Sequence, residues 1–288
     1  MSSDRLAKPK WLKINANLGT DYRRVRQLLS EHGLHSVCQE ANCPNMGECF
    51  GSGTATFLIL GSVCTRNCGF CDILKGTPST YDLDEPERLA SAVATLGLKH
   101  VVITSVTRDD LEDGGATIFA RTVSKLREYS PQIHIELLVP DFAGSVKSVD
   151  LVLDAAPDIF NHNIETTQRL YDTVRPKADY RRSLSILRYA RGSGKVKLVK
   201  SGIFVGIGEQ EDEIRQTMQD IRDCGVDILT IGQYLSPSDQ HLPVVKYYHP
   251  DEFEKFRLWG EKMGFRHTES GPMVRSSYKA SRQSSELL

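Results

Sequence analysis

Between residues 56 and 264 the sequence alternates without a break between short apolar runs and amphipathic stretches, and no other feature constrains the fold as tightly. TFLILGS, HVVITS, IHIELLV, DIFNHN, VKLVKSGIFVG and DILTIGQY read as buried strands, being short, apolar and bounded by turn residues. Each is followed by a helical pattern: EPERLASAVATLG, GATIFARTVSKLREYS, VKSVDLVLDAA, DYRRSLSILRYARG, EDEIRQTMQDIRDCG and PDEFEKFRLWGEKMG. Six strand–helix pairs in series imply a parallel sheet wrapped by helices. The fold class expected is α/β, a partial (βα)6 TIM-type barrel, because six strands are too few to close the full eight-stranded form. Upstream, TDYRRVRQLLSEHG predicts one helix, with Thr20 or Asp21 as its cap and Gly33 at its end, in an otherwise irregular stretch. The final SYKASRQSSELL reads as a fraying tail. The division expected is an N-terminal extension over 1–55, a barrel over 56–265 and a C-terminal extension over 266–288, the two extensions covering the open mouth.

Parallel βα barrels place their chemistry at the C-terminal ends of the strands. That face receives CTRNCGFC after the first strand, TSVTRDDLEDGG after the second, VPDF after the third and HNIET after the fourth. GIGEQ and QYLSPSDQ follow the fifth and sixth. The net charge of −1 gives no case for a nucleic-acid partner or a membrane surface. No run of 18 apolar residues argues for a spanning helix, and the first residues lack the apolar core of a secretory signal, so a cytoplasmic, reducing location is expected.

Seven cysteines occur in the chain, and six of them lie between residues 38 and 71. In a reducing compartment such clustering favours metal or cluster ligation over a disulfide framework. Cys64, Cys68 and Cys71 form C-x3-C-x2-C on the loop after the first strand, and Cys38, Cys43 and Cys49 form C-x4-C-x5-C upstream. Soft thiolates suit zinc or an iron–sulfur cluster, and the paired C-x2-C knuckles of zinc ribbons are missing. Three ligands leave one corner of a cubane open, either for a substrate or cofactor or for closure by another residue.

CTRNCGFC after a strand at the head of a βα series, with aromatic Phe70 before the last cysteine, resembles the motif of the radical S-adenosylmethionine enzymes. The upstream trio narrows the resemblance to the lipoyl synthase family. GLHSVCQEANCPNMGECF, VVITSVTRDDLEDGG, PQIHIELLVPDF, DIFNHNIET, VRPKADY, LTIGQYLSPS and GPMVRSSYKA look like that family's blocks in order, covering nearly the whole chain. The resemblance implies two [4Fe-4S] clusters. One, on Cys64, Cys68 and Cys71, leaves an iron that chelates S-adenosylmethionine and drives its cleavage to a deoxyadenosyl radical. The other, auxiliary cluster sits on Cys38, Cys43 and Cys49, with Ser276 or Ser277 of RSSY as fourth ligand, Ser277 being preferred. Its sulfide is implied to go to C6 and C8 of an octanoyl chain on a lipoyl carrier domain.

The implied partners are octanoylated carriers (E2 subunits of 2-oxoacid dehydrogenases and the glycine cleavage H protein), an electron donor such as flavodoxin or ferredoxin, and a cluster delivery protein. Asn163 and Glu165 are candidates for ribose contacts, with Thr166 or Thr167 as a plain helix cap the alternative reading. Thr104 and Gly206, the latter in GIFVGIGE, are further candidate contacts to S-adenosylmethionine. Asp109 and Asp110 either meet the cofactor's ammonium group or cap the following helix, and Arg175 either pairs with a carboxylate or is solvated surface. His162 is the histidine at the active face, and Cys224 reads as a small buried hydrophobe. Lys8, Lys10, Arg23 and Arg24 form a basic stretch that would complement an acidic carrier.

Overall fold

The computed structural model describes residues 6–12, 19–52 and 54–288. Helix α1 (Thr20–Glu31) starts the described core, burying Val25, Leu28 and Leu29 on one face. Gly19 is its cap, with no side-chain hydrogen bond, so neither Thr20 nor Asp21 caps it: both lie one position or more inside the helix. A two-residue strand β1 (His35–Ser36) and two short helices, α2 (Val37–Glu40) and α3 (Met46–Gly51), follow. These short elements carry the first cysteine trio, in a region whose sequence shows no periodicity long enough to announce them.

The barrel is built from β2 (Thr56–Ile59), β5 (His100–Ser105), β6 (His134–Leu138), β7 (Ile159–Asn161), β8 (Leu198–Val205) and β9 (Ile228–Gln233), the six predicted strands. Two-residue strands β3 (Val63–Cys64) and β4 (Leu74–Lys75) pair with each other across the loop after β2. Helices α4 (Glu85–Leu96), α5 (Ala116–Tyr129), α6 (Val146–Asp154), α8 (Tyr180–Gly192), α9 (Glu211–Asp223) and α10 (Pro250–Met263) are the predicted partners. A one-turn helix α7 (Tyr171–Val174) precedes α8. All neighbouring barrel strands pair parallel, and β1 adds an antiparallel strand on the edge of β2.

A further parallel strand, β10 (His267–Gly271), continues the sheet beyond β9. Its sequence HTESG has no apolar run, so nothing local marks it as a strand; its pairing with β9 makes it one. The boundary expected at residue 265 therefore falls just before an element of the sheet itself. The end of the chain is also ordered differently from the expected fraying tail. Helix α11 (Ala280–Ser284) buries Ala280, Gln283 and Ser284. Leu287 and Leu288 pack on Ile159, Leu198 and Ile228, the first residues of β7, β8 and β9. A polar sequence hid this, because two leucines at the terminus give no period to read.

The side of the sheet that packs against the helices is apolar, with Val101, Ile103, Ile135, Leu137, Phe160, Val199, Leu229 and Ile231 all buried. The opposite, lumen face carries polar groups. Lys200 Nζ meets Glu136 at 2.9 and 3.1 Å, and Asn161 Nδ2 donates to the same carboxylate at 2.7 Å. His100 Nε2 lies 3.6 Å from it. Burial alone would push the Glu136 carboxyl up; Lys200 and His100 more than offset this and hold it at about 2. A charge buried this deeply is tolerated only with its partner in place.

Candidate functional site

The second trio sits where the strand-end rule puts it. β2 ends at Ile59, and the chain then forms the β3 turn carrying Cys64, Cys68 and Cys71. Backbone N–H groups of Arg66 and Thr107 each donate to Cys64 Sγ at 3.4 Å. Arg66, inside the trio, is the loop's anchor. Its guanidinium forks onto Asp109 at 2.8 and 2.8 Å and reaches Asp141 at 2.5 Å. Asp141, fully buried in VPDF after β6, also receives Arg182 from α8 at 2.8 Å. Burial would raise the Asp141 carboxyl, but Arg66 above all holds it well below the usual range. The loop is further held by Gly69 N on Val174 O, Lys177 on Thr65 O and His241 on Cys71 O.

Around this loop lies a set of buried polar atoms with no protein partner: Asn163 Oδ1, His162 Nε2, Arg175 Nε, and the hydroxyls of Thr166 and Thr167. Buried polar groups are normally paired, so their concentration on the segment after β7, whose Arg175 and Glu165 act on Cys68, fits a place for a polar ligand. Glu165 joins them, held at φ +70° with its N–H on Gly202 O and its carbonyl accepting from Phe204 N. Burial pushes its carboxyl up, with Arg175 and Asn163 pulling the other way. Arg175 is buried, not surface: it donates to Asn163 O at 3.0 Å and Tyr171 Oη at 2.6 Å. Burial, and then Arg175, lower His162 to about 4, so its imidazole is neutral at neutral pH. Thr167 stands at the N-cap of a 3-10 turn, Gln168–Leu170, as the alternative reading had it, but neither its hydroxyl nor that of Thr166 makes a capping bond.

The other candidates are placed differently. Asp109 has its carboxylate on Arg66 and Thr65, and Asp110 pairs with Arg108 at 2.8 Å, so neither caps α5. That helix begins later, with Asp113 taking the N–H groups of Gly115 and Thr117. The Thr104 hydroxyl donates to Leu138 O at 2.9 Å, tying β5 to β6. At Gly206, φ is +115°, and a Cβ would lie 2.1 Å from Gln233 Nε2 and 2.6 Å from Lys246 O. The chain's own packing therefore requires glycine there. Cys224 is buried at the end of α9, as expected.

The first trio is assembled from both ends of the chain. Cys38 lies in α2 and Cys49 in α3, with Cys43 between them. The C-terminal RSSY segment is fastened beside them: Asn45 Nδ2 donates to Met273 O at 2.7 Å. Tyr278 Oη donates to Glu48 at 2.9 and 3.0 Å, and Lys279 pairs with Glu48 at 2.9 Å. Ser276 Oγ receives Asn161 Nδ2 at 3.4 Å from the lumen. Asn42 ties this trio's loop to Asp72, next to Cys71, so the two trios share a wall.

All seven cysteines are free thiols. Burial pushes Cys38, Cys49 and Cys71 up to about 12, and raises Cys68. A neighbouring thiol adds to the effect within each trio: Cys43 acts on Cys38, Cys38 and Cys43 on Cys49, and Cys68 and Cys64 on Cys71. Thiols that are close together and costly to ionise need a cation among them to act as thiolates. Among the described residues no three His, Cys, Asp or Glu side chains are grouped to hold a single metal ion. A cuboidal cluster spreads its ligands wider than one ion does. Arg66, Asp141, Arg182, Glu136 and Lys200 were not singled out by sequence reasoning. Each is an ordinary charged residue locally, and only partners tens of residues away give it a role.

Residues 58–221 match the radical SAM superfamily, and residues 1–43 match the N-terminal domain of lipoyl synthase of that family. A lipoyl synthase of Rubrobacter xylanophilus is 53% identical over 282 residues, 98% of this chain and 88% of that protein. One from Caldicellulosiruptor saccharolyticus is 52% identical over 273 residues, 95% of this chain and 96% of the other. A mitochondrial lipoyl synthase of Nematostella vectensis is 49% identical, covering 96% and 94%. Among solved structures, Streptococcus suis SuiB bound to S-adenosylmethionine aligns with TM-score 0.55 at 12% identity, covering 83% of this chain and 51% of that one. Methylornithine synthase PylB aligns with TM-score 0.53 at 14% identity, covering 90% and 84%; both show the shared fold. On its parallel barrel, its two cysteine trios and these near full-length relatives, the chain belongs to the lipoyl synthase family of radical S-adenosylmethionine enzymes.

Proposed function

We infer that this protein inserts two sulfur atoms, at C6 and C8, into an octanoyl group carried on a lipoyl domain, with reductive cleavage of two molecules of S-adenosylmethionine. A [4Fe-4S] cluster with S-adenosylmethionine bound supplies the carbon radical needed to break unactivated C–H bonds, which no side chain can provide. The auxiliary [4Fe-4S] cluster is the sulfur substrate.

The residues divide into three jobs. Cys64, Cys68 and Cys71 hold the radical cluster, and Arg66 with Asp109 and Asp141 fixes their loop before anything binds. Asn163, Arg175 and His162 orient S-adenosylmethionine with their buried polar atoms that lack protein partners, together with the buried Glu165 carboxyl. Neutral His162 gives its Nδ1–H to Val139 O, so its Nε2 accepts a hydrogen bond there without adding charge. Cys38, Cys43, Cys49 and Ser277 present the auxiliary cluster. Oxygen is a harder ligand than thiolate on a soft cluster, so a serine corner opens more readily, which suits a cluster that must give up sulfur. The walls joined by Asn42 and Asp72 bring the site of radical formation and the site of sulfur delivery to one mouth.

The carrier is an octanoylated lipoyl domain, such as an E2 subunit of a 2-oxoacid dehydrogenase or the glycine cleavage H protein. A small reductant such as flavodoxin or ferredoxin supplies electrons, and a cluster delivery protein rebuilds the auxiliary cluster. No helix among the described residues is long and apolar enough to cross a membrane. Six clustered cysteines given to cluster ligation and not to disulfides support a reducing compartment, the cytoplasm.

One observation carries the reading: a second cysteine trio is clamped to the RSSY segment through Asn45 and Glu48, beside the radical loop. The test is a single turnover of protein whose clusters carry labelled sulfide, with no other sulfur source. Labelled dithiolated product is expected. Unlabelled or absent product would leave the second cluster an electron conduit and overturn its role as donor.

A further inference from the structure

The RSSY segment leaves β10 at Gly271, turns with Val274 N on Gly271 O at 3.0 Å, and crosses the mouth ends of β7 and β9. At Gly232, near the end of β9, a Cβ would lie 2.1 Å from the carbonyl oxygen of Val274 and 3.1 Å from its carbon. Both atoms are backbone, so no rotamer change makes room, and only glycine admits the segment. At the end of β7, Asn161 donates both to Ser276 Oγ at 3.4 Å and to Glu136 at 2.7 Å. Glu136 is in turn fixed by Lys200 from β8. The hydroxyl of Ser276 thereby accepts a hydrogen bond from the barrel.

We propose that Gly232 and Asn161 are positioning residues for the auxiliary cluster: the barrel wall, not only the chain ends, sets Ser277 against the first trio. This rests on Ser277 being the fourth ligand. A weakly held oxygen ligand competes poorly with water unless its segment is already in place, so preorganisation by a rigid wall matters more here than at a thiolate. Contacts from two sides meet on this segment, Gly232 and Asn161 below and Asn45 and Glu48 beside.

The experiment uses full-length protein with both clusters loaded anaerobically, comparing Gly232→Ala, Asn161→Ala and Ser277→Ala with the unaltered chain. Iron loss to a chelator and the Mössbauer spectrum are followed together with reductive cleavage of S-adenosylmethionine. In Gly232→Ala and Asn161→Ala the auxiliary cluster should lose iron about 10- to 100-fold faster, the usual effect of removing an outer support of a metal ligand. The radical cluster should keep its spectrum and its cleavage of S-adenosylmethionine. If Ser277→Ala leaves both the spectrum and iron loss unchanged, the ligand reading itself fails. If Ser277→Ala speeds iron loss and the other two do not, the positioning role alone is refuted. Should Gly232→Ala lose cleavage as well, its strand has shifted, and Asn161→Ala decides.

Discussion

The two cysteine trios make an instructive pair. The Cys64–Cys71 loop grows directly from a barrel strand, and its fastenings run inward to Asp109, Asp141 and Arg182, all within the barrel. The Cys38–Cys49 trio follows a two-residue edge strand, β1, and its Cys38 meets Thr56 of β2. It is held by a clamp between segments about as far apart as the chain allows, Glu48 to Tyr278 being 230 positions. One site is part of the scaffold, and the other closes only when the two ends meet. A cluster that cycles electrons gains from the first arrangement; a cluster that is consumed and replaced gains from the second. Local opening there need not disturb the core.

The comparison breaks most sharply at the proposed ligands. Cys64→Ala should abolish reductive cleavage of S-adenosylmethionine and leave one cluster's worth of iron. Cys38→Ala should also halve the iron but keep cleavage, while dithiolated product disappears. Equal loss of cleavage in both variants would show that the sites are not separable.

Next comes the scaffold itself. Glu136→Gln would leave Lys200 charged and buried without its partner, at a cost of about 3–5 kcal/mol in denaturant unfolding. Arg66→Met should cost about 3 kcal/mol, since Asp141 keeps Arg182 but loses its main partner. It should also slow loading of the radical cluster while the first trio loads normally. The pH profile follows from Glu136, whose folded value of about 2 lies below the ordinary carboxylate value. Its contribution is fully present above the unfolded value and is lost as pH falls through the folded one. Unfolding free energy should therefore drop between about pH 5 and pH 2. In Glu136→Gln that slope should flatten.

The clamp is weaker. Tyr278→Phe removes one hydrogen-bond donor to the Glu48 carboxylate and should cost about 1–2 kcal/mol. Its effect should appear as faster iron loss from the first trio only. The smallest effect belongs to the exposed basic residues Lys8, Lys10, Arg23 and Arg24. Replacing them together with alanine should weaken carrier binding several-fold at low salt and hardly at all at high salt. Unchanged low-salt affinity would assign the docking face elsewhere.

Much of this was legible in the sequence because it is local. Strand and helix periods announce the six βα pairs, and C-x3-C-x2-C after a strand places its own loop. HTESG was illegible as β10 because a strand on the edge of a sheet can take its order from its neighbour and not from its own residues. Asp109 looked like a group open to a ligand, yet its carboxylate belongs to Arg66, 43 residues earlier. Gly206 looked like backbone that approaches S-adenosylmethionine, but its need for glycine comes from Gln233 and the Lys246 carbonyl, which a Cβ would strike.

By itself the sequence determined the barrel, the membership of each cysteine trio and the chemistry that thiolates in such groups perform, since these depend on residue type and short spacing. Tertiary structure alone decided which charges brace the radical loop, where the chain's end is buried and how the RSSY segment reaches the first trio. Those are contacts between distant residues, and a buried ion pair or a backbone passing over a glycine leaves no periodic trace along the chain.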